Sequence, residues 1–147
     1  MSVRELLRRK SNRVIFVETT ASLAAAARLL MRHHIGGLPV MERGSSVVGF
    51  VSEREVVAAV NHHAHDVHDL RVASIMRSPA PLCRSDDRMQ AVMERMTRER
   101  LRHLVVMDGD RIAGVISVGD LVKHRLEQLE TEAGVLRDYV AGQRARR

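Results

Sequence analysis

Apolar positions along this chain fall into short runs between polar stretches, and the runs come twice. Val14-Ile15-Phe16-Val17, then Leu23 and Leu30, then Ile35-Gly36-Gly37-Leu38-Pro39-Val40-Met41 make the first series. Its counterpart lies 66 positions on, in Ala80-Pro81-Leu82-Cys83, Met89, Met96 and Leu101-Arg102-His103-Leu104-Val105-Val106-Met107. One residue is then lost in a turn. Gly49-Phe50-Val51-Ser52-Glu53-Arg54-Glu55 returns at a spacing of 65 as Gly114-Val115-Ile116-Ser117-Val118-Gly119-Asp120. Few residues are identical, yet the apolar positions stay in phase. Such a repeat marks a duplicated supersecondary unit, too small to close a core alone. Two halves packed about a pseudo-twofold axis create two equivalent clefts, and clefts between repeats are where ligands bind.

Each half predicts strand, helix, strand, turn, strand, helix. In the first, Val14 to Val17 read as a β-branched strand, and Ser22 as the N-cap of an Ala- and Leu-rich helix through Met31. Gly36-Gly37 break that helix, Leu38 to Met41 and Val47 to Val51 are strands about an Arg43-Gly44-Ser45 turn, and Glu53 opens a helix to about Val60. The second half repeats the order. It has a strand at Leu82, a helix about Asp87 to Arg98, strands Leu104 to Met107 and Ile112 to Ile116 around Asp108-Gly109-Asp110, and a helix from Val118. Between the halves, Asn61 to Arg71 form a polar linker, and Val72 to Met76 a short helical turn leading into the second repeat. The predicted division is 1–60, 61–71, 72–125 and 126–147, the last a helix with a basic tail. The expected class is α/β (α+β), two β-α-β-β-α repeats packed sheet to sheet. The last helix overshoots: Val122, Leu126, Leu129, Ala133, Leu136 and Val140 form an a/d seam flanked by charge. Gly134 interrupts it at a cost of about 1 kcal/mol relative to Ala. The helix could pack back on its own domain, but a seam longer than its own repeat needs points rather to a subunit contact, hence a homodimer.

Composition narrows the function. A 147-residue chain with 45% apolar residues holds one ordinary core and is not disordered. Cys83 is the single cysteine, so no intramolecular disulfide forms, and a reducing cytoplasm is the expected compartment. No run approaches the roughly 18 apolar residues of a membrane helix. The net charge of +6 gathers partly at Arg8, Arg9, Lys10 and Arg13, and at Arg144, Arg146 and Arg147. Phosphate binding produces such a bias, whether the phosphate belongs to nucleic acid or to a small nucleotide. Phe16, Phe50 and Tyr139 are the only aromatics, too few for a base-stacking platform. Solvated tails plus a nucleotide pocket therefore explain the charge better than a nucleic-acid-associated protein using basic termini, which stands as the alternative.

The chemistry concentrates in a doubled segment, Gly49…Ser52…Glu55 and Gly114…Ser117…Asp120. Ser-x-x-Glu/Asp before an apolar run has the spacing of a capping box. Two occurrences at matched positions, each after a Gly-headed strand, add a ligand role. Free N–H groups at a helix start attract phosphate, and a nearby carboxylate accepts ribose hydroxyls. Capping and ligand binding are compatible.

With its Leu-Pro-Val strand and its Gly-h-h-Ser-x-x-Asp segment, the duplicated pattern resembles tandem cystathionine-β-synthase-type (CBS) domains, the pair called a Bateman module. The resemblance covers roughly Val3 to Arg125, and the tail through Leu136-Arg137-Asp138-Tyr139 looks like the small stand-alone bacterial members. It implies a non-enzymatic regulatory module sensing an adenosyl ligand: AMP, ADP, ATP, NAD(H) or S-adenosylmethionine. It further implies an unidentified regulated protein and no membrane. Carried over, Asp120 accepts ribose, Ser117 and Gly119 line the phosphate side, and Arg102 with His103 supply positive charge. The opposite wall of that cleft takes Lys10, Arg13, Ile15, Ile35 and Gly36, with Ile15 and Ile35 flanking the adenine. The symmetric cleft takes Ser52, Arg54 and Glu55, with Ala80, Leu101 and Ser78 opposite. Glu55 stands where the family usually has Asp, and Gly36-Gly37 stand in place of Arg102-His103. An extra methylene displaces the carboxylate by more than an ångström, so the Asp120 site ranks first.

Asn61-His62-His63-Ala64-His65-Asp66-Val67-His68-Asp69 is rich in metal-ligand types and leaves a metal-responsive protein as a further alternative. Nothing around it supplies the buried second shell of a fixed site, so a solvated linker is the preferred reading and no metal ligand is assigned. Cys83 falls mid-strand, as a buried inert thiol. No nucleophile elbow, Walker loop or His-Glu-x-x-His motif is present, and nothing supports catalysis.

Overall fold

The computed structural model describes residues 1–10, 13–63 and 65–145. Arg146 and Arg147 of the basic tail, and Ala64 within the His-rich stretch, lie outside the described residues. In chain order the elements are α1 (Val3–Arg8), β1 (Val17–Glu18), α2 (Leu23–His33), β2 (Gly37–Glu42), β3 (Ser46–Ser52), α3 (Glu53–His62), α4 (Val72–Ile75), β4 (Leu82–Arg84), α5 (Met89–Glu99), β5 (His103–Asp108), β6 (Arg111–Ser117) and α6 (Val118–Ala145). A 3₁₀ turn, Val67–Asp69, precedes α4. The repeat holds at its original spacing: α2 and β2 recur as α5 and β5 after 66 residues, and β3 as β6 after 65.

Two three-stranded sheets result, ordered β1-β2-β3 and β4-β5-β6. In the first, β2 is parallel to β1 (Val17↔Val40) and antiparallel to β3 (Leu38↔Val51), with a bulge at Val40/Met41. In the second, β4 is parallel to β5 (Cys83↔Val106). Both faces of the first sheet are covered, which is why its strands read as continuous apolar runs rather than alternations. Leu38, Val40 and Val51 pack with Ala26 and Leu30 of α2. On the opposite face, Phe50 meets Val105 and Ala80, with Val47, Met107, Ile112 and Val115 around them. That cluster is the sheet-to-sheet contact.

Four local differences from the sequence reading have physical causes. Of the strand expected over Val14 to Val17 only Val17–Glu18 pairs, because β2 offers partners at Val40 and Met41; Ile15 packs on the core by its side chain alone. Helix α2 ends before the glycine pair, at His34, whose left-handed backbone (φ 52°) turns the chain. Arg100 does the same after α5 (φ 55°), so a side chain replaces the usual glycine at both ends. The linker is partly built in: Val67 is buried with Leu23 and Ala59, and the Leu23 amide donates to the Leu70 carbonyl at 2.7 Å. Finally, α3 extends to His62.

The short helices change sides. Although α4 leads in sequence toward the second repeat, the amides of Val72 and Ala73 donate to the carbonyls of Ala21 and Thr19, at 2.8 and 3.1 Å, in the first. Reciprocally, Val3 and Arg4 of α1 donate to the carbonyls of Asp87 and Ser85, at 2.9 and 2.8 Å, in the second. The glycine heading each Gly-x-x-Ser segment admits the incoming chain. A Cβ on Gly49 would lie 2.8 Å from the Arg77 carbonyl, and one on Gly114 2.8 Å from a Leu7 methyl. Residues Met1–Ile116 make one compact unit, and the chain from Ser117 a second, the helix α6.

Candidate ligand cleft

The Ser-x-x-Glu/Asp segments are helix starts in both repeats, with different wiring. At α3 the Ser52 hydroxyl accepts from the Arg54 amide (3.3 Å) and donates to Glu55 Oε2 (2.6 Å). At α6 the exchange is reciprocal: the Asp120 amide donates to Ser117 Oγ (3.2 Å), and the Ser117 amide donates to Asp120 Oδ2 (2.8 Å). This second arrangement is a full capping box. The Asp120 carboxylate is thus oriented by backbone, the Glu55 carboxylate by a rotatable hydroxyl. Gly119 is not sterically required by its own turn, since a Cβ there would meet Ser117 Oγ at an ordinary 3.5 Å.

A cleft of about 560 Å³ opens at the start of α3. Ser52, Glu53, Arg54 and Glu55 of the α3 start line it together with Gly36, Phe50, Arg77, Pro81, Arg100, Arg102 and His103. The Gly36 carbonyl accepts from the Glu53 amide at 3.1 Å, tying the glycine pair to the helix start. Four arginines, Arg54, Arg77, Arg100 and Arg102, are among its lining residues. Of the acidic residues, Glu99 sits beside Arg95 and Arg98 (3.3 and 3.9 Å), Glu55 accepts from Ser52, and Glu53 lies in the first turn of α3, where the helix dipole favours it. The Phe50 and His103 rings, both among the lining residues, lie 5.3 Å apart and tilted by 36°.

The glycine pair has a steric reason. A Cβ on Gly36 would come within 3.1 Å of His103 Nε2, and one on Gly37 within 2.4 Å of the Phe50 ring. Positions 36–37 and 102–103 are repeat equivalents, and bulky residues in both would collide. Gly36, Arg102 and His103 therefore share one cleft with Ser52, Arg54 and Glu55, two groups that the resemblance distributes between clefts.

The other residues singled out from the sequence are placed as follows. Ile15 and Ile35 are half-buried against the first sheet's core, and Arg13 is exposed. Lys10 Nζ donates to the Val115 carbonyl at 2.9 Å. Ser78 Oγ donates to the Val48 carbonyl at 2.9 Å. Ala80 and Leu101 are buried, while their chain neighbours Pro81, Arg100 and Arg102 line the cleft. Sequence reasoning missed Phe50, Arg77 and Arg100. Arg77 reaches the cleft through its paired backbone bonds with Phe50 (2.8 and 2.9 Å), a contact with no local signature. The His-rich stretch brings no three His, Cys, Asp or Glu side chains together as a metal site among the described residues. Among those residues, too, no helix is long and apolar enough to cross a membrane. Burial, with Asp87 nearby, pushes the Cys83 thiol up to about 12.

Two sheets, exchanged short helices and a cleft at a doubled helix start define a class of paired small modules. The profile of the CBS domain matches residues 3–62 and 72–127, and the chain belongs to the CBS-domain family as a tandem pair. It is similar to a crystallised CBS-domain protein of Agrobacterium tumefaciens, at 35% identity and a TM-score of 0.79, over 84% of this chain and 92% of that one. A CBS-domain protein of Burkholderia ambifaria MC40-6 gives 29% and 0.80, over 86% and 95%. At 20% identity and a TM-score of 0.76, over 87% of this chain and 98% of that one, the fold is shared with a CBS-domain pair solved in complex with 5′-methylthioadenosine and S-adenosyl-L-methionine. Some curated relatives are longer: the chain covers 74% of its own length but spans 35% of a 33.4 kDa Thermofilum pendens protein at 28% identity.

Proposed function

We propose that this CBS pair is a non-catalytic regulatory module that binds an adenosyl ligand and acts, as a homodimer in the cytoplasm, on a separate protein target. The observation that carries the reading is that four arginines and a Ser/Glu helix start line one cleft of about 560 Å³, a volume suited to a nucleotide-sized ligand. In this reading Glu55 accepts ribose hydroxyls, and Arg77, Arg100 and Arg102 hold phosphate. Asp120 is the ribose acceptor of the second motif, with Ser117 and Gly119 beside it. The relative bound to S-adenosylmethionine and methylthioadenosine supports the adenosyl class. The arginines favour its anionic members, AMP, ADP, ATP and NAD(H), over the cationic sulfonium.

Calorimetry with ATP, AMP, adenosine and S-adenosylmethionine tests this. Arg102→Ala should weaken ATP and AMP about tenfold while leaving adenosine nearly unchanged, as expected for loss of a charge-assisted bond. No binding of any adenosyl compound, or tighter binding of S-adenosylmethionine than of ATP, would reject the reading.

A further inference from the structure

Helix α6 runs for 28 residues and carries an apolar stripe. Val122, Leu126, Leu129, Leu136 and Val140 are 52, 55, 45, 63 and 41% exposed, and Ala133 between them is exposed as well. The described residues of α6 that are buried, Leu121 and His124, lie off the stripe, about 100° and about 160° from Val122 around the helix at about 100° per residue. The stripe repeats as a heptad with Leu126, Ala133 and Val140 at a and Val122, Leu129 and Leu136 at d. That phase places Arg125 and Glu132 at g, and Glu130 and Arg137 at e.

The flanks choose the occupant and its direction. In a parallel, in-register pair each g residue faces the e residue five positions on in the other helix. Arg125 then faces Glu130, and Glu132 faces Arg137, both attractive and both made twice by symmetry. An antiparallel pairing that keeps the apolar layers (Val122 with Val140, Leu126 with Leu136, Leu129 with Ala133) sets Glu130 against Glu130 and Glu132 against Glu132. Gly134 falls at b, outside the seam. We propose that α6 pairs with α6 of a second copy of this chain as a parallel, in-register two-stranded coiled coil. This rests on the homodimer reading and adds its register and direction. Because α6 begins at Ser117–Asp120, the coil joins the second motif of each copy directly to the dimer contact.

The test uses the full chain. Light scattering at tens of micromolar should report a dimer, and Gln143→Cys, at the next d position, should cross-link fully on mild oxidation in a Cys83→Ala background. Leu129→Glu should raise the dissociation constant roughly a hundredfold. Arg125→Glu should weaken the dimer, and Arg125→Glu with Glu130→Arg should restore it; these exposed positions keep the test decisive if Leu129→Glu fails to fold. A dimer that does not cross-link through position 143 would overturn the parallel register while leaving the homodimer standing. A monomer would overturn both.

Discussion

The two repeats share a backbone and differ where their side chains meet. Gly36 and Gly37 occupy the positions that Arg102 and His103 hold in the second repeat, and the room they leave is filled by Phe50 and His103. Ser52–Glu55 and Ser117–Asp120 are equivalent helix starts, yet one carboxylate is held by a hydroxyl and the other by a backbone amide. Helix α3 stops at His62, whereas α6 runs to Ala145. A duplicated fold places equivalent residues opposite one another near its twofold axis, where two large residues cannot both fit. One half must become small and the other can become polar. The chemical difference between the two repeats follows from packing.

The largest expected effect tests whether the halves are one cooperative body. Leu38 and Leu104 are repeat equivalents and fully buried. Leu38→Ala and Leu104→Ala should each cost about 2–5 kcal/mol, in a single urea transition. Two separated transitions in either variant would show that the repeats unfold independently.

Next come the motif carboxylates. Asp120→Ala should weaken binding of an adenosine nucleotide about tenfold to a hundredfold, the loss of one or two charge-assisted hydrogen bonds. Glu55→Ala should cost less, because its longer side chain is held by the rotatable Ser52 hydroxyl rather than by a backbone amide, and Glu55→Asp should narrow the gap. Calorimetry on the three variants decides; equal binding by wild type and Asp120→Ala would remove Asp120 from the ligand site.

Cys83 and Val17 sharpen the comparison at smaller scale, both buried and in equivalent parallel pairs with Val106 and Val40. Cys83→Val should change stability by less than about 1.5 kcal/mol at neutral pH, as a near-isosteric core change. The folded thiol is held to about 12 against 9.0 when unfolded. It therefore contributes stability below pH 9 that is lost as pH rises from 9 toward 12. Unfolding titrations should show a flatter alkaline limb for Cys83→Val. An unchanged limb, or rapid alkylation of native Cys83 near pH 8, would contradict its burial.

The smallest effect belongs to the helix that only the second repeat extends. A Cβ at Gly134 would meet nothing within 4 Å. Gly134→Ala should therefore stabilise α6 by about 0.5–1 kcal/mol, seen as a higher midpoint in thermal unfolding followed by circular dichroism. A lower midpoint would mean that the position is occupied in the assembled protein.

What the chain determined by itself was periodic and local. The apolar phase set the repeat, the Asp108-Gly109-Asp110 and Arg43-Gly44-Ser45 turns set the hairpins, and the heptad spacing set the long helix. These signals arise from contacts between residues a few positions apart, so they are written in order along the sequence. The tertiary structure alone decided the exchange of α1 and α4, the arrival of Arg77 beside Phe50, and the packing of Gly36 against His103 and of Gly37 against Phe50. It also decided that His34 and Arg100, rather than glycines, take the left-handed turns. Each of these depends on atoms brought together from distant parts of the chain, where excluded volume and hydrogen-bond partners are fixed only once both sheets have packed.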